Sequence, residues 1–148
     1  MQRRIIPDVV NHQDIVALSK TKSVHDAVQL MSSRKIAAIA VTEGNNKKLI
    51  GIISERDITH RVLACGLNPQ ATLLSDVMTS NPECLRPNDS CHDAIDLMLN
   101  RNIRHLPVVT EDNTVVAMVS MRNLLEAAVK ELGLKIDAER DDAFSPEG

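Results

Sequence analysis

Ser54 and Asp57 stand three residues apart at the end of the run Gly51-Ile52-Ile53-Ser54-Glu55-Arg56-Asp57. Two kinds of chemistry use that spacing. A serine at a helix N-cap accepts from the amide three residues on, while an acidic residue at that position reaches back to the cap, and no ligand is involved. A carboxylate in the first turn of a helix can also accept from both hydroxyls of a ribose, and the helix start favours a phosphate. The capping reading has strong support, because Ser23-x-x-Asp26 and Ser90-x-x-Asp93 use the same device. Gly51 favours the second reading: a strand glycine lets a ligand approach the backbone, and capping has no use for it. Ser120-x-x-Asn123 repeats the spacing with an amide, which can bond a hydroxyl but without charge assistance. Arg104 and His105 are adjacent, and both side chains suit a phosphate, with a packed, hydrogen-bonded strand residue as the other reading of His105. Arg56 and Arg122 each fall in the first turn of a helix, where a cation opposes the helix dipole and calls for an anionic partner. That partner is a ligand phosphate, Glu55, or an acidic residue of another subunit.

Other chemistries find no foothold. The chain has no G-x-S-x-G, HExxH, Walker or Rossmann glycine pattern, and no nucleophile has an evident base beside it, so an enzyme is not expected. Cys65, Cys84 and Cys91 are an odd number without a CxxC, which argues for reduced, mostly buried thiols rather than disulfides or a zinc ribbon. His25 and His92 lack the spacing of a metal site, and His12 and His60 read as surface residues. A net charge of −3, one Phe and no Trp or Tyr give neither a basic field nor stacking platforms, so nucleic acid is an unlikely partner. No apolar run reaches the roughly twenty residues of a membrane helix, and the N-terminus lacks a signal-peptide core. A soluble cytoplasmic protein is the expectation.

The elements that must position these residues are written twice. Residues 23–41 and 90–108 share nine of nineteen positions, and after one extra residue in the first copy's turn the match continues from 49–54 to 115–120. Each copy reads as a short strand (15–18 and 83–86), a capped helix with apolar residues at helical spacing, a hairpin of two apolar runs around a polar turn, and a closing helix (55–64 and 121–132). The pattern is α+β, two β-α-β-β-α repeats. One unit of about 55 residues is marginal alone, so the two are expected to pack their sheets together and share a core. The boundaries are 8–65 for the first repeat, 66–75 for a linker, 76–132 for the second, and 133–148 for an acidic tail.

On these motifs the chain resembles a tandem pair of CBS domains, a Bateman module, of the stand-alone bacterial type. Arg104-His105-Leu106-Pro107-Val108-Val109 matches the family's strand after the first helix, and 51–57 matches its Gly-h-x-Ser/Thr-x-x-Asp ribose motif, h being apolar. Met78-Thr79 before the second copy is also typical. The resemblance covers roughly residues 8 to 132. It implies a regulatory module that holds an adenosine-containing ligand in clefts between the repeats. AMP, ADP or ATP rank ahead of NAD(H) and S-adenosylmethionine, and no cofactor is obligatory. Asp57, with Ser54, would contact the ribose, and Ser120 with Asn123 would form a second site that is weaker or differently used. Arg56, Arg122, Arg104 and His105 (Ala37 and Ala38 fill the last two places in copy one) would face phosphate. Thr79 and, at the matching place, Asn11 would give polar contacts. Val16, Ile36 and Ile103 would wall the adenine or simply be core. The resemblance further implies a flat homodimer formed through the helices and a regulated partner protein. The rival reading is a ligand-free dimeric scaffold with vestigial clefts.

Overall fold

Two copies of one α+β unit follow each other in the computed structural model, which describes residues 3–11 and 15–133. The first runs β1 (Ala17–Ser19), α1 (Val24–Arg34), β2 (Ala38–Glu43), β3 (Lys48–Ser54) and α2 (Glu55–Asp57), the last continuing as π-helical turns over Ile58–Leu63. A short α3 (Leu74–Val77) and β4 (Thr79–Ser80) follow. The second copy runs α4 (Cys91–Arg101), β5 (His105–Val109), β6 (Val115–Ser120) and α5 (Met121–Glu131). His12 and residues 134–148, nearly all of the expected acidic tail, lie outside the described residues. Among the described residues no helix is long and apolar enough to cross a membrane.

The capping serines start their helices as their spacing requires. Ser23 accepts from the Asp26 amide and Asp26 bonds the Ser23 amide in return; Ser90 accepts from the Asp93 amide. Both helices then stop on a left-handed residue at the corresponding place, Lys35 and Asn102. The hairpins pair antiparallel, Ala38 to Glu43 against Ser54 to Lys48 and His105 to Val109 against Ser120 to Val115. Residues 38–42 of β2 are all buried, because one face meets the helices and the other meets the opposite repeat. Ile39 and Val41 join the core formed with Val24, Ala27 and Met31 of α1. Ala40, with Leu49, packs instead against Val109 and Val115 of the second repeat. Leu106 and Val108 play the part of Ile39 and Val41 in the second core. At the hairpin tips the repeats are joined by backbone, Leu49 N donating to Asn113 O at 3.1 Å and Val115 N to Lys47 O at 3.3 Å.

Two strands depart from the pattern read in the sequence. The strand at 83–86 is reduced to one parallel bridge, Leu85 to Val108. The Arg86 amide is taken at 2.8 Å by the Asp89 carboxylate, and Pro87 has no amide to continue a ladder. The first strand is shifted, pairing Ala17 to Ser19 with Ala40 to Thr42. The stretch 66–75 is packed onto repeat one, where Pro69 O and Thr72 O accept from the His25 and Val24 amides at the start of α1. The N-terminal segment does the same for repeat two: Arg3 O accepts from Cys91 N at 2.8 Å, and Ile5 is buried in the second core. Each repeat's first helix therefore has an otherwise unpaired amide satisfied by a segment that precedes it or follows it from outside the repeat.

Candidate functional site

Both closing helices begin with the same cap, and the two caps present different chemistry. In repeat one, Asp57 Oδ2 accepts from Ser54 N at 2.9 Å and from Ser54 Oγ at 3.0 Å, while Asp57 N donates to Ser54 Oγ at 3.2 Å. In repeat two, Asn123 Oδ1 accepts from Ser120 N and Ser120 Oγ, both at 2.9 Å, and Asn123 N donates to Ser120 Oγ at 3.1 Å. The Ser120 amide can only donate, so the Asn123 oxygen must face it and the Nδ2 group faces away. Asp57 thus has a second oxygen, Oδ1, where Asn123 has an N–H donor. A hydroxyl pair seeking an acceptor finds one in repeat one and a donor in repeat two. The side chain of Asp57 is 15% exposed, so this oxygen sits in a partly dry setting.

Each cap is tied to the strand that carries the matching predicted residues of its own repeat. Ser54 pairs with Ala38 at the end of the first hairpin and Ser120 with His105 at the end of the second. The Ala37 carbonyl accepts from Glu55 N and the Arg104 carbonyl from Met121 N, so the residue before each β2 or β5 strand is tied to the first residue of its closing helix. His105 is half-buried, and burial holds its imidazole below the ordinary value; Glu55 of repeat one acts against this and Arg104 adds to it. That Glu55 and Arg104 both act on the ring puts the start of α2 and the start of β5 within electrostatic reach.

The remaining predicted residues divide. Arg56 is exposed and forms no hydrogen bond or ion pair among the described residues. Arg122 pairs with Glu126 of its own helix at 3.1 Å, a partner one turn on that the three anticipated ones did not include. Thr79 is half-buried and pairs with Ile52. Asn11 is exposed, and Val16 is half-buried outside the cores. Ile36 and Ile103 are half-buried against the first and second cores. Gly51 has a local reason to be glycine: a Cβ there would lie 2.4 Å from Met78 Sδ and 3.0 Å from Thr79 O. Its partner place in repeat two holds buried Ala117, so the glycine argument for a ligand gives way to Met78.

Arg61, one turn beyond Asp57, was not singled out in the sequence. Its Nε lies 3.8 Å from Asp57 Oδ1 and its Nη1 donates to Val77 O at 3.1 Å. Acid and base at i, i+4 was the available signal, but the Val77 contact spans sixteen residues and has none. A shallow groove of about 340 Å³ lies elsewhere, between β1 and α1, lined by Leu18, Lys22, Asp26, Gln29, Leu30 and Ser33, and shares no residue with the predicted set. Among the described residues no group of three or more His, Cys, Asp or Glu could hold a metal. Cys65 is exposed, against the expectation for the thiols as a set; Cys84 is half-buried and Cys91 buried, and burial pushes both of their pKa values up.

Comparison with known proteins adds the family context. Residues 6–64 and 74–130 each match the CBS domain family model. A CBS domain-containing protein of Arabidopsis thaliana is 33% identical over 117 residues, covering 79% of this chain and 22% of its own length. The chain thus spans about a fifth of the length of the first curated relatives it matches. Among solved structures, a protein with CBS domains from Burkholderia ambifaria MC40-6 is 26% identical with a TM-score of 0.76, covering 85% of this chain and 90% of that one. A CBS domain protein from Pyrobaculum aerophilum complexed with AMP is 25% identical with a TM-score of 0.72, covering 82% of this chain and 96% of that one.

Proposed function

Since the chain belongs to the CBS domain family, we propose that it is a regulatory, non-enzymatic module that binds an adenosine nucleotide between its two repeats. AMP, ADP and ATP rank ahead of NAD(H) and S-adenosylmethionine. The observation that carries this reading is the second oxygen of Asp57: the cap occupies Oδ2 twice and leaves Oδ1, which faces Arg61 at 3.8 Å without a hydrogen bond, as an acceptor at a helix start. Asp57 Oδ1 takes the ribose hydroxyls, with charge-assisted bonds. The phosphate goes to Arg104 and to Arg56, which has no partner among the described residues, with His105 as a hydrogen-bond partner. Thr79, Val16, Ile36 and Ile103 complete the walls. The Asn123 site is weaker, since its outward group donates. The relative from Pyrobaculum aerophilum, complexed with AMP, supports the choice of ligand class.

The module acts in the cytoplasm as a homodimer that pairs through its helices, and its output is altered contact with a partner protein. Leu99 of α4 and Leu125 of α5, 67% and 62% exposed, would be covered by that pairing. Ligand shifts the module's shape only by the difference in its affinity for the two shapes. The scaffold reading draws on Asn123 and Ala117, which leave one cleft without an acidic contact. The test is AMP titration by calorimetry against the Asp57→Ala variant. Loss of a hydrogen bond to a charged group should weaken binding at least about tenfold with the fold intact. Unchanged affinity removes Asp57 from the site; no heat from the wild type with AMP, ADP, ATP, NAD+, NADH or S-adenosylmethionine, each titrated in the same way, favours the scaffold.

A further inference from the structure

Asp57 and the segment that opens the second half of the chain are held by one side chain. Arg61 Nη1 donates to the carbonyl of Val77, a buried residue at the end of α3, and its Nε faces Asp57 Oδ1. At 3.8 Å the Nε attracts the carboxylate without occupying its lone pairs by a hydrogen bond, so Oδ1 is oriented and still open. From Val77 the path is short and stiff. Met78 fills the space over Gly51, and Thr79 and Ser80 pair with Ile52 and Gly51 on β3. A guanidinium suits this double role, because its donors lie in a fixed plane and reach two acceptors at once. In repeat two the corresponding place is Ala127, and Asn123 has no charge for a cation to hold.

We propose that Arg61 is a positioning residue of the repeat-one cleft, and that it couples a ligand on Asp57 to the 77–80 segment. This deepens the reading of Asp57 as a ribose contact and rests on it. When hydroxyls take Oδ1, part of the carboxylate charge is shared with them, Arg61 shifts its balance toward Val77 O, and the Met78–Thr79 peptide tightens against β3. Repeat two has no counterpart, so the response to ligand is one-sided: the 77–80 segment reports occupancy of the first cleft alone.

The experiment uses the full chain and AMP as the probe. Affinity is measured by calorimetry, and hydrogen exchange of the 78–80 amides is measured with and without saturating AMP, for the wild type, Asp57→Ala, Arg61→Ala and Arg61→Lys. Arg61→Ala should weaken AMP by about fivefold, the scale of one partly exposed ion pair. At saturating AMP it should also lose the added protection that the wild type gains at 78–80. Arg61→Lys, which keeps the charge but cannot span both acceptors, should recover affinity and not the protection; it also serves if the alanine variant folds poorly. Loss of AMP binding in Asp57→Ala, with Arg61→Ala and Arg61→Lys both matching the wild type in affinity and exchange, overturns the role of Arg61 alone. A wild type that does not bind AMP, or an Asp57→Ala that binds as tightly as the wild type, overturns the reading of Asp57 and the coupling with it.

Discussion

The two closing-helix caps are nearly superimposable in their bonding and opposite in what they offer a ligand. Ser54 with Asp57 and Ser120 with Asn123 form the same three bonds within a few tenths of an ångström. The fold needs one oxygen from the third residue, and either Asp or Asn supplies it. The second atom of that group is left free by folding and can be set by function. In repeat one it is a charged acceptor steadied by Arg61; in repeat two it is a donor next to Ala127. A cap worth about 1 kcal/mol therefore does not compete with a binding role for Asp57, because the two use different oxygens.

The comparison can be pressed first where the repeats differ in volume. Gly51→Ala drives a methyl against Met78 and the Thr79 carbonyl, while Ala117→Gly removes a buried methyl that meets no such crowding. Gly51→Ala should cost about 2 kcal/mol, the scale of overpacking. Ala117→Gly should cost about 1 kcal/mol, from a lost methyl and a looser strand. Thermal unfolding followed by circular dichroism would show it. Joining Met78→Ala to Gly51→Ala should recover most of the loss, and full additivity would break the account of Gly51.

A smaller effect separates the repeats by pH. Burial lowers the His105 pKa from its ordinary 6.5, while the unfolded chain keeps the ordinary value. Below about pH 6.5 the unfolded state then binds more protons than the folded one, so this residue's contribution to stability is present above that pH and is lost as pH falls through it. His105→Gln should flatten that loss in denaturant titrations between pH 7.5 and 5, and the place belongs to repeat two alone because repeat one has Ala38. An unchanged pH slope would mean the ring is not held neutral by its surroundings.

Much of this architecture was legible residue by residue. Serines three before an acid marked helix starts at Ser23, Ser54 and Ser90, and apolar runs around polar turns gave both hairpins, because caps and alternation act within a few residues. What stayed hidden acts across the chain. The Arg3 carbonyl satisfies Cys91, and Pro69 and Thr72 satisfy α1, through pairings no local pattern encodes. The strand at 83–86 was lost to Asp89, whose side chain captures an amide that the match to the first repeat assigned to a ladder. The crowding at Gly51 comes from Met78, twenty-seven positions on, which no pattern around the glycine signals. Arg61 escaped for the same reason: its second contact, Val77 O, lies in the next element.

The most direct test of the central claim is supplied by the molecule's own second repeat. Asp57→Asn converts the first cap into a copy of the Ser120–Asn123 cap, which is known from this chain to be a stable arrangement. It changes the outward atom from acceptor to donor and removes the charge that Arg61 faces, while the three cap bonds are kept. Calorimetric titration with AMP should show affinity reduced at least about tenfold, with a melting temperature close to that of the wild type. An Asp57→Asn protein that binds AMP as tightly as the wild type would contradict the claim that the free Asp57 oxygen is what makes repeat one a nucleotide site.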